Sequence, residues 1–156
     1  MRIFNESAIA IAPLVALTVP APASAADVTL RGSLLSSCLL TLSTEGKLVA
    51  SSDPTVIGSE ESGGNAALLA VVAVGATPTV NFSAPTIDGP AGLDSGAQAQ
   101  IRYTSLGGSN QSYTSSASSS SQVRLLDTFT INARIVSPNG FAAGNYVVRT
   151  TTTCQQ

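Results

Sequence analysis

Asp127–Val136, DTFTINARIV, decides the fold. Phe129, Ile131, Ala133 and Ile135 alternate with Thr130, Asn132 and Arg134, the period of two that marks a half-buried strand. Ser137-Pro138-Asn139-Gly140 follows as a strong turn. Gly144 then releases a second extended run, Asn145 to Cys154, in which Tyr146, Val148, Thr150, Thr152 and Cys154 share one face.

The same period recurs upstream. Asp27 to Ser33 reads as a strand, with Val28, Leu30, Gly32 and Leu34 on one face, and Cys38, Leu40 and Leu42 keep that parity beyond a bend at Ser36-Ser37. Lys47 to Ala50 and Thr55 to Ile57 read as short strands around a polar loop, Ser51 to Asn65. Ala66 to Val74 is rich in alanine, which favours helix, but its valines and flanking glycines set strand length, so a buried strand is expected. Thr79 to Ser83 points Val80 and Phe82 inward, and Ala99 to Tyr103 does the same with Ile101 and Tyr103. Thr86 to Gly96 reads as a loop. Gly107 to Ser121 is Ser-rich and low in complexity, and reads as a mobile loop or hairpin tip without core residues. About seven strands and no helix predict an all-β fold, an antiparallel immunoglobulin-like β-sandwich, with a closed barrel as the alternative.

The N-terminus is set apart from that domain. Arg2 precedes an apolar run, Ala8 to Val19, and Ala23-Ser24-Ala25 forms an A-x-A site. This reads as a signal peptide over residues 1–25. The run holds 12 residues, against the ~20 needed to span a bilayer. Residues 26–156 then form a single domain with six basic and eight acidic side chains. No basic patch suggests nucleic acid, and no polybasic segment suggests anionic membrane. The longest later apolar run, Ala66 to Val74, has nine residues, too few for a transmembrane segment in the mature chain. The expected location is exported: periplasmic, cell surface or extracellular.

Both cysteines lie in the mature chain. Two cysteines in an exported protein read as one disulfide, Cys38 to Cys154, with two free buried thiols as the alternative. Such a bridge would tie the two ends of the domain together.

Catalytic chemistry finds little support. The chain has no His, which removes the commonest general base and zinc ligand. Glu60 and Glu61 are adjacent in a loop, and Asp88 and Asp94 share another. Neither arrangement resembles two carboxylates facing across a cleft, and no acidic residues fall at calcium-loop spacing. Ser43 and Lys47 lack Ser-x-x-Lys spacing, and no phosphate-binding glycine loop is present. No catalytic residue, metal or cofactor is expected. Tyr113 is the candidate ligand contact, the one tyrosine placed outside the core-facing strands, where an exposed ring would serve as a stacking platform for glycans. Asn81 and Asn110 open N-x-Ser sequons.

Val28 to Cys38, VTLRGSLLSSC, resembles the opening of bacterial fimbrial subunits of the chaperone–usher class, with Val28, Leu30, Gly32, Leu34 and Cys38 at the matching positions. Gly144-Asn145-Tyr146 and the Val/Thr alternation after it are similar to the last strand of spore-coat-U-like proteins. The resemblance implies a fimbria-like structural β-sandwich. The chain departs from that pattern in lacking a second cysteine roughly forty residues after Cys38 and in carrying its own last strand, which favours a self-complemented, monomeric domain. The expected function is that of a non-enzymatic structural or adhesion-type protein. It would work through contacts with other surface or periplasmic proteins, self-association included. A secreted ligand- or glycan-binding module is the alternative.

Overall fold

Strand-forming alternation becomes strand wherever a neighbouring strand is there to pair. The computed structural model describes residues 29–121 and 123–156. The expected leader, residues 1–25, lies outside them. Among the described residues there are twelve strands and no helix. They are β1 (Ser37–Thr44), β2 (Val49–Ala50), β3 (Val56–Gly58), β4 (Ala67–Val74), β5 (Thr79–Phe82), β6 (Thr86–Asp88), β7 (Gln98–Ser105), β8 (Asn110–Thr114), β9 (Ser118–Ser120), β10 (Leu126–Val136), β11 (Val147–Arg149) and β12 (Thr152–Gln155). Every pairing is antiparallel. Residues 33–156 form one compact unit.

β10, the strand read first from sequence, is the spine of the larger sheet. Along one side it pairs with β7 from Phe129↔Ser105 to Val136↔Gln98. Along the other it pairs first with β4, Leu126↔Val72 to Ile131↔Ala67, and then with β3, Arg134↔Gly58 to Val136↔Val56. β1 extends the sheet beyond β4, β2 beyond β3, and β8 beyond β7.

The facing sheet is smaller. β5 lies between β12 and β9, and β6 pairs with β11. Between the pairs Phe82↔Thr152 and Thr86↔Arg149, three residues, 83–85, face two, 150–151. That is a β-bulge. Pro85 lacks an amide to donate, while the amide of Ser83 still reaches the Thr151 carbonyl at 2.9 Å. β5–β6 and β11–β12 therefore act as two long, bent strands. Counted so, the twelve short strands become ten, against the about seven expected; β2, β3 and β9, of two or three residues each, account for the remaining difference.

The core fills the space between the sheets. Leu69, Val71, Ile101, Tyr103 and Phe129 from the large sheet meet Val80 and Phe82 from the small one. Phe82 stacks on Tyr103 at 4.4 Å between centroids, and Phe129 lies 5.6 Å from both rings. The run from Ala66 to Val74 forms a strand as expected, β4 over Ala67–Val74, and it contributes Leu69 and Val71. Tyr146, Val148, Thr150, Thr152 and Cys154 keep one parity of partial burial through the bulge.

Three expectations are corrected. Thr86 to Gly96 is not all loop, since Thr86–Asp88 is β6, drawn into a sheet by its pairing with β11. No strand spans Thr29 to Ser33, and Leu30, Leu34 and Leu35 are exposed, so the first described strand starts at Ser37. Asp27 and Val28 lie outside the described residues. Alternation selects a face, but among the described residues no strand pairs with Thr29–Ser33. The Ser-rich stretch is not a bare loop. β8 joins the large sheet and β9 the small one, and Ser109 and Ser120 are buried, with the Ser120 hydroxyl donating to that of Ser109. Backbone pairing holds these strands, and small hydroxyl side chains that bond each other tolerate burial.

Gly144 and Gly140 stand at positive φ, where an L side chain is strained. Gly144 has φ +155, and a Cβ there would sit 2.6 Å from Cβ of Pro90. Gly140 closes the 137–140 turn at φ +77, its amide donating to the Ser137 carbonyl at 3.0 Å.

Candidate functional site

Cys38 on β1 and Cys154 on β12 are joined in a disulfide, with Cα atoms 6.2 Å apart and 116 positions between them in sequence. Neither strand pairs with the other. The bridge thus ties the edge of the large sheet to the edge of the small one. Such a cross-link belongs to an oxidising compartment. Among the described residues no helix is long and apolar enough to cross a membrane.

Further along β1 the sheets part. A cleft of about 890 Å³ opens between them, with Leu42 and Leu48 at one wall, Leu69 and Ile131 on the floor, and Val148 and Thr150 opposite. Leu42 shares the inward parity of Cys38 and Leu40 yet is 55 % exposed. The sandwich is stapled at one end of this side and open at the other. A smaller hollow of about 580 Å³ lies by Ile87, Leu93 and Asp94.

Among the described residues, β1 is the outer strand of the large sheet. It is eight residues long, SCLLTLST, without a charge or proline. On the outer face, Leu39 lies directly opposite Val72, and Val72 opposite Leu126. These three side chains form an in-register apolar row across β1, β4 and β10, at 62 %, 42 % and 72 % exposure. Val74, two residues beyond Val72 on β4, adds to it.

The opposite end of the same outer face is polar. Tyr113, the residue proposed from sequence, sits on β8 and is half-buried. Its hydroxyl donates to Glu60 Oε2 at 2.6 Å, and Arg102 donates to Glu60 Oε1. The Arg134 guanidinium lies 4.1 Å from the Tyr113 ring centroid, and that of Arg102 lies 5.5 Å away. Burial, with the Glu60 hydrogen bond and charge behind it, pushes the Tyr113 phenol well above its ordinary value. The ring is engaged by internal partners. Glu60, read from sequence as a loop carboxylate, organises this cluster, and Arg134, read only as the polar face of β10, packs beside it. No sequence pattern marks that convergence, because it joins residues from the 59–65 loop, β7, β8 and β10.

Asp127 and Asp94 are held by structure. Asp127 is buried and accepts four hydrogen bonds, from the amides of Gly107, Thr128 and Arg124 and from the Ser105 hydroxyl, at 2.8–3.3 Å. Asp94 accepts from the Gly96 amide, the Ser137 hydroxyl and the Asn139 amide group. The Gly96 amide is the leading cause that holds its carboxyl below the ordinary 3.8. Asp88 is exposed and pairs loosely with Arg149 at 3.8 Å. Among the described residues no three His, Cys, Asp or Glu side chains form a metal-holding group.

No family model, no curated protein and no solved structure matches this chain.

Proposed function

We propose that this chain is an exported, non-enzymatic structural or adhesion-type protein of the bacterial surface or periplasm, working through protein–protein contacts at its β1 edge. The observation that carries this reading is β1 itself. Exposed edge strands are normally guarded by charges, prolines or shortness, and β1 has none of these over Ser37–Thr44. Exposed Leu39 and Leu42 flank it on both faces. Apolar rows of this kind, rimmed by polar residues, mark interaction surfaces.

A second copy of the chain suits this edge. An antiparallel edge pairs with its own copy about a two-fold axis, and an uncharged strand sets no like charges together. Placing Leu40 opposite the second copy's Leu42 keeps inward side chains on the inward face and extends the core, with Leu39 opposite the second copy's Ser43 on the outer face. The disulfide supports export, and the opening residues' similarity to fimbrial subunits supports a surface role. The absence of His and the internal satisfaction of Asp127 and Asp94 speak against hydrolytic chemistry.

The test is sedimentation velocity across a wide concentration range. Wild type should associate reversibly, and Leu39→Lys with Leu42→Lys should remain monomeric while retaining the wild-type circular dichroism spectrum. Association that persists unchanged in the double variant would remove β1 as the contact.

A further inference from the structure

We propose that the outer face of the large sheet around Arg134 binds a sugar acid, a carbohydrate ring bearing one carboxylate. Arg134 would hold the carboxylate, and the side-chain amides of Gln100 and Asn132 would donate to ring hydroxyls. Arg134 is fixed before any ligand arrives. Its Nε donates to Gln100 Oε1 at 2.8 Å, and its plane packs by Tyr113. Among the described residues it has no carboxylate partner, since Glu60 is engaged by Arg102 and Tyr113. A guanidinium held by its Nε and its face keeps its remaining N–H groups for a planar, bidentate anion.

The neighbouring groups are donors too. Gln100 lies directly opposite Arg134, and Asn132 directly opposite Arg102. The Gln100 oxygen is taken by Arg134. The Asn132 oxygen accepts from Ser59 Oγ at 2.9 Å, and Ser59 is itself fixed by the Ala133 amide at 3.0 Å. Both side-chain NH₂ groups make no hydrogen bond among the described residues. Each amide oxygen is turned to an internal donor, so Gln100 and Asn132 present their N–H groups outward, beside a Glu60 carboxylate held by Arg102 and Tyr113. Opposite residues in such a ladder stand about 5 Å apart at Cβ, and alternate residues on one strand about 7 Å apart. The donors therefore cover roughly one sugar ring.

An acidic peptide fits less well. β10 is paired on both sides at Arg134, with β7 and β3, and β7 lies between β10 and β8, so neither strand is a sheet edge open along its length to peptide backbone. A peptide could offer only its carboxylate, whereas a sugar acid offers a carboxylate and hydroxyl acceptors on one rigid frame.

This inference is independent of the β1 contact, which lies at the far end of the face. The experiment is an amide-resolved NMR titration with sodium glucuronate, glucose and N-acetylglutamate at matched ionic strength. Glucuronate should give saturable shifts clustered at Gln100, Asn132 and Arg134, and glucose none. Arg134→Gln should weaken binding at least tenfold, and Arg134→Lys nearly as much, because an ammonium cannot fork. Gln100→Glu, near-isosteric and set to pair with Arg134, should abolish binding with the fold retained, and it serves where Arg134→Gln misfolds. The Leu39→Lys, Leu42→Lys double variant should bind as wild type. Equal shifts from glucose, undiminished binding by Gln100→Glu, or N-acetylglutamate binding as tightly as glucuronate would each overturn the proposal.

Discussion

Replacing both cysteines, Cys38→Ala with Cys154→Ala, removes the one covalent tie between the sheets. The loop it closes spans 116 positions. The chain-entropy relation gives about 4.8 kcal/mol at 25 °C for a loop of that size. Against a typical domain stability of ~5–15 kcal/mol, this is a large share. With unfolding entropy of about 2.1 cal/mol/K per residue, it corresponds to a Tm drop of roughly 15–20 °C. Both side chains also pack against the core, so the loss of contact adds to the effect. The denatured state should expand as well, raising the urea m-value of the double variant. The assay is equilibrium urea unfolding of the two proteins, with intact mass under non-reducing conditions confirming the bond in wild type. A stability difference below about 1 kcal/mol, or an unchanged m-value, would refute the reasoning that the bridge acts by constraining the unfolded chain.

Three further outcomes follow from the packing and the charges. Asp127→Ala leaves three amides and the Ser105 hydroxyl without their acceptor and should destabilise by about 2–4 kcal/mol in urea unfolding. Phe82→Ala empties the centre of the aromatic trio and should cost about 3–5 kcal/mol by the same assay. The folded-state carboxyl of Asp94 is depressed below 3.8. Its contribution is therefore fully present above that value and is lost as pH falls through the lower folded value. Amide exchange at Gly96 and Gly140 should accelerate under those acidic conditions in wild type, and an Asp94→Asn variant should lack that acid-dependent step.

Much of the fold is legible in residues whose pattern and partner agree. β10 alternates and lies between strands on both sides, so its period alone fixes which side chains enter the core. Ala66–Val74 is legible through its valines and bounding glycines despite its alanines. The cysteines are legible through their number. Alternation fails at Thr29–Ser33 because it encodes a face and not a neighbour. The Ser-rich stretch misleads in the opposite sense. β8 and β9 are held by main-chain pairing, which side-chain composition does not report. The bulge at 83–85 is half legible, in Pro85, but its position opposite Thr150-Thr151 depends on long-range register. The cluster of Glu60, Arg102, Tyr113 and Arg134 is the least legible feature. It joins residues 42 and 53 positions apart in sequence, and only the sheet register brings them together. Tyr113 was identifiable as a tyrosine outside the core-facing strands, but not as a ring already engaged by two arginines.

The central claim is that β1 is an unguarded edge that receives a second copy of the chain. Amide hydrogen exchange of Ser37–Thr44, followed as protein concentration rises, tests it most directly. The account predicts that protection within β1 rises with concentration, that β8 at the opposite edge shows no such change, and that Leu39→Lys with Leu42→Lys abolishes the effect. Concentration-independent exchange throughout β1, in protein whose disulfide is intact, would contradict it.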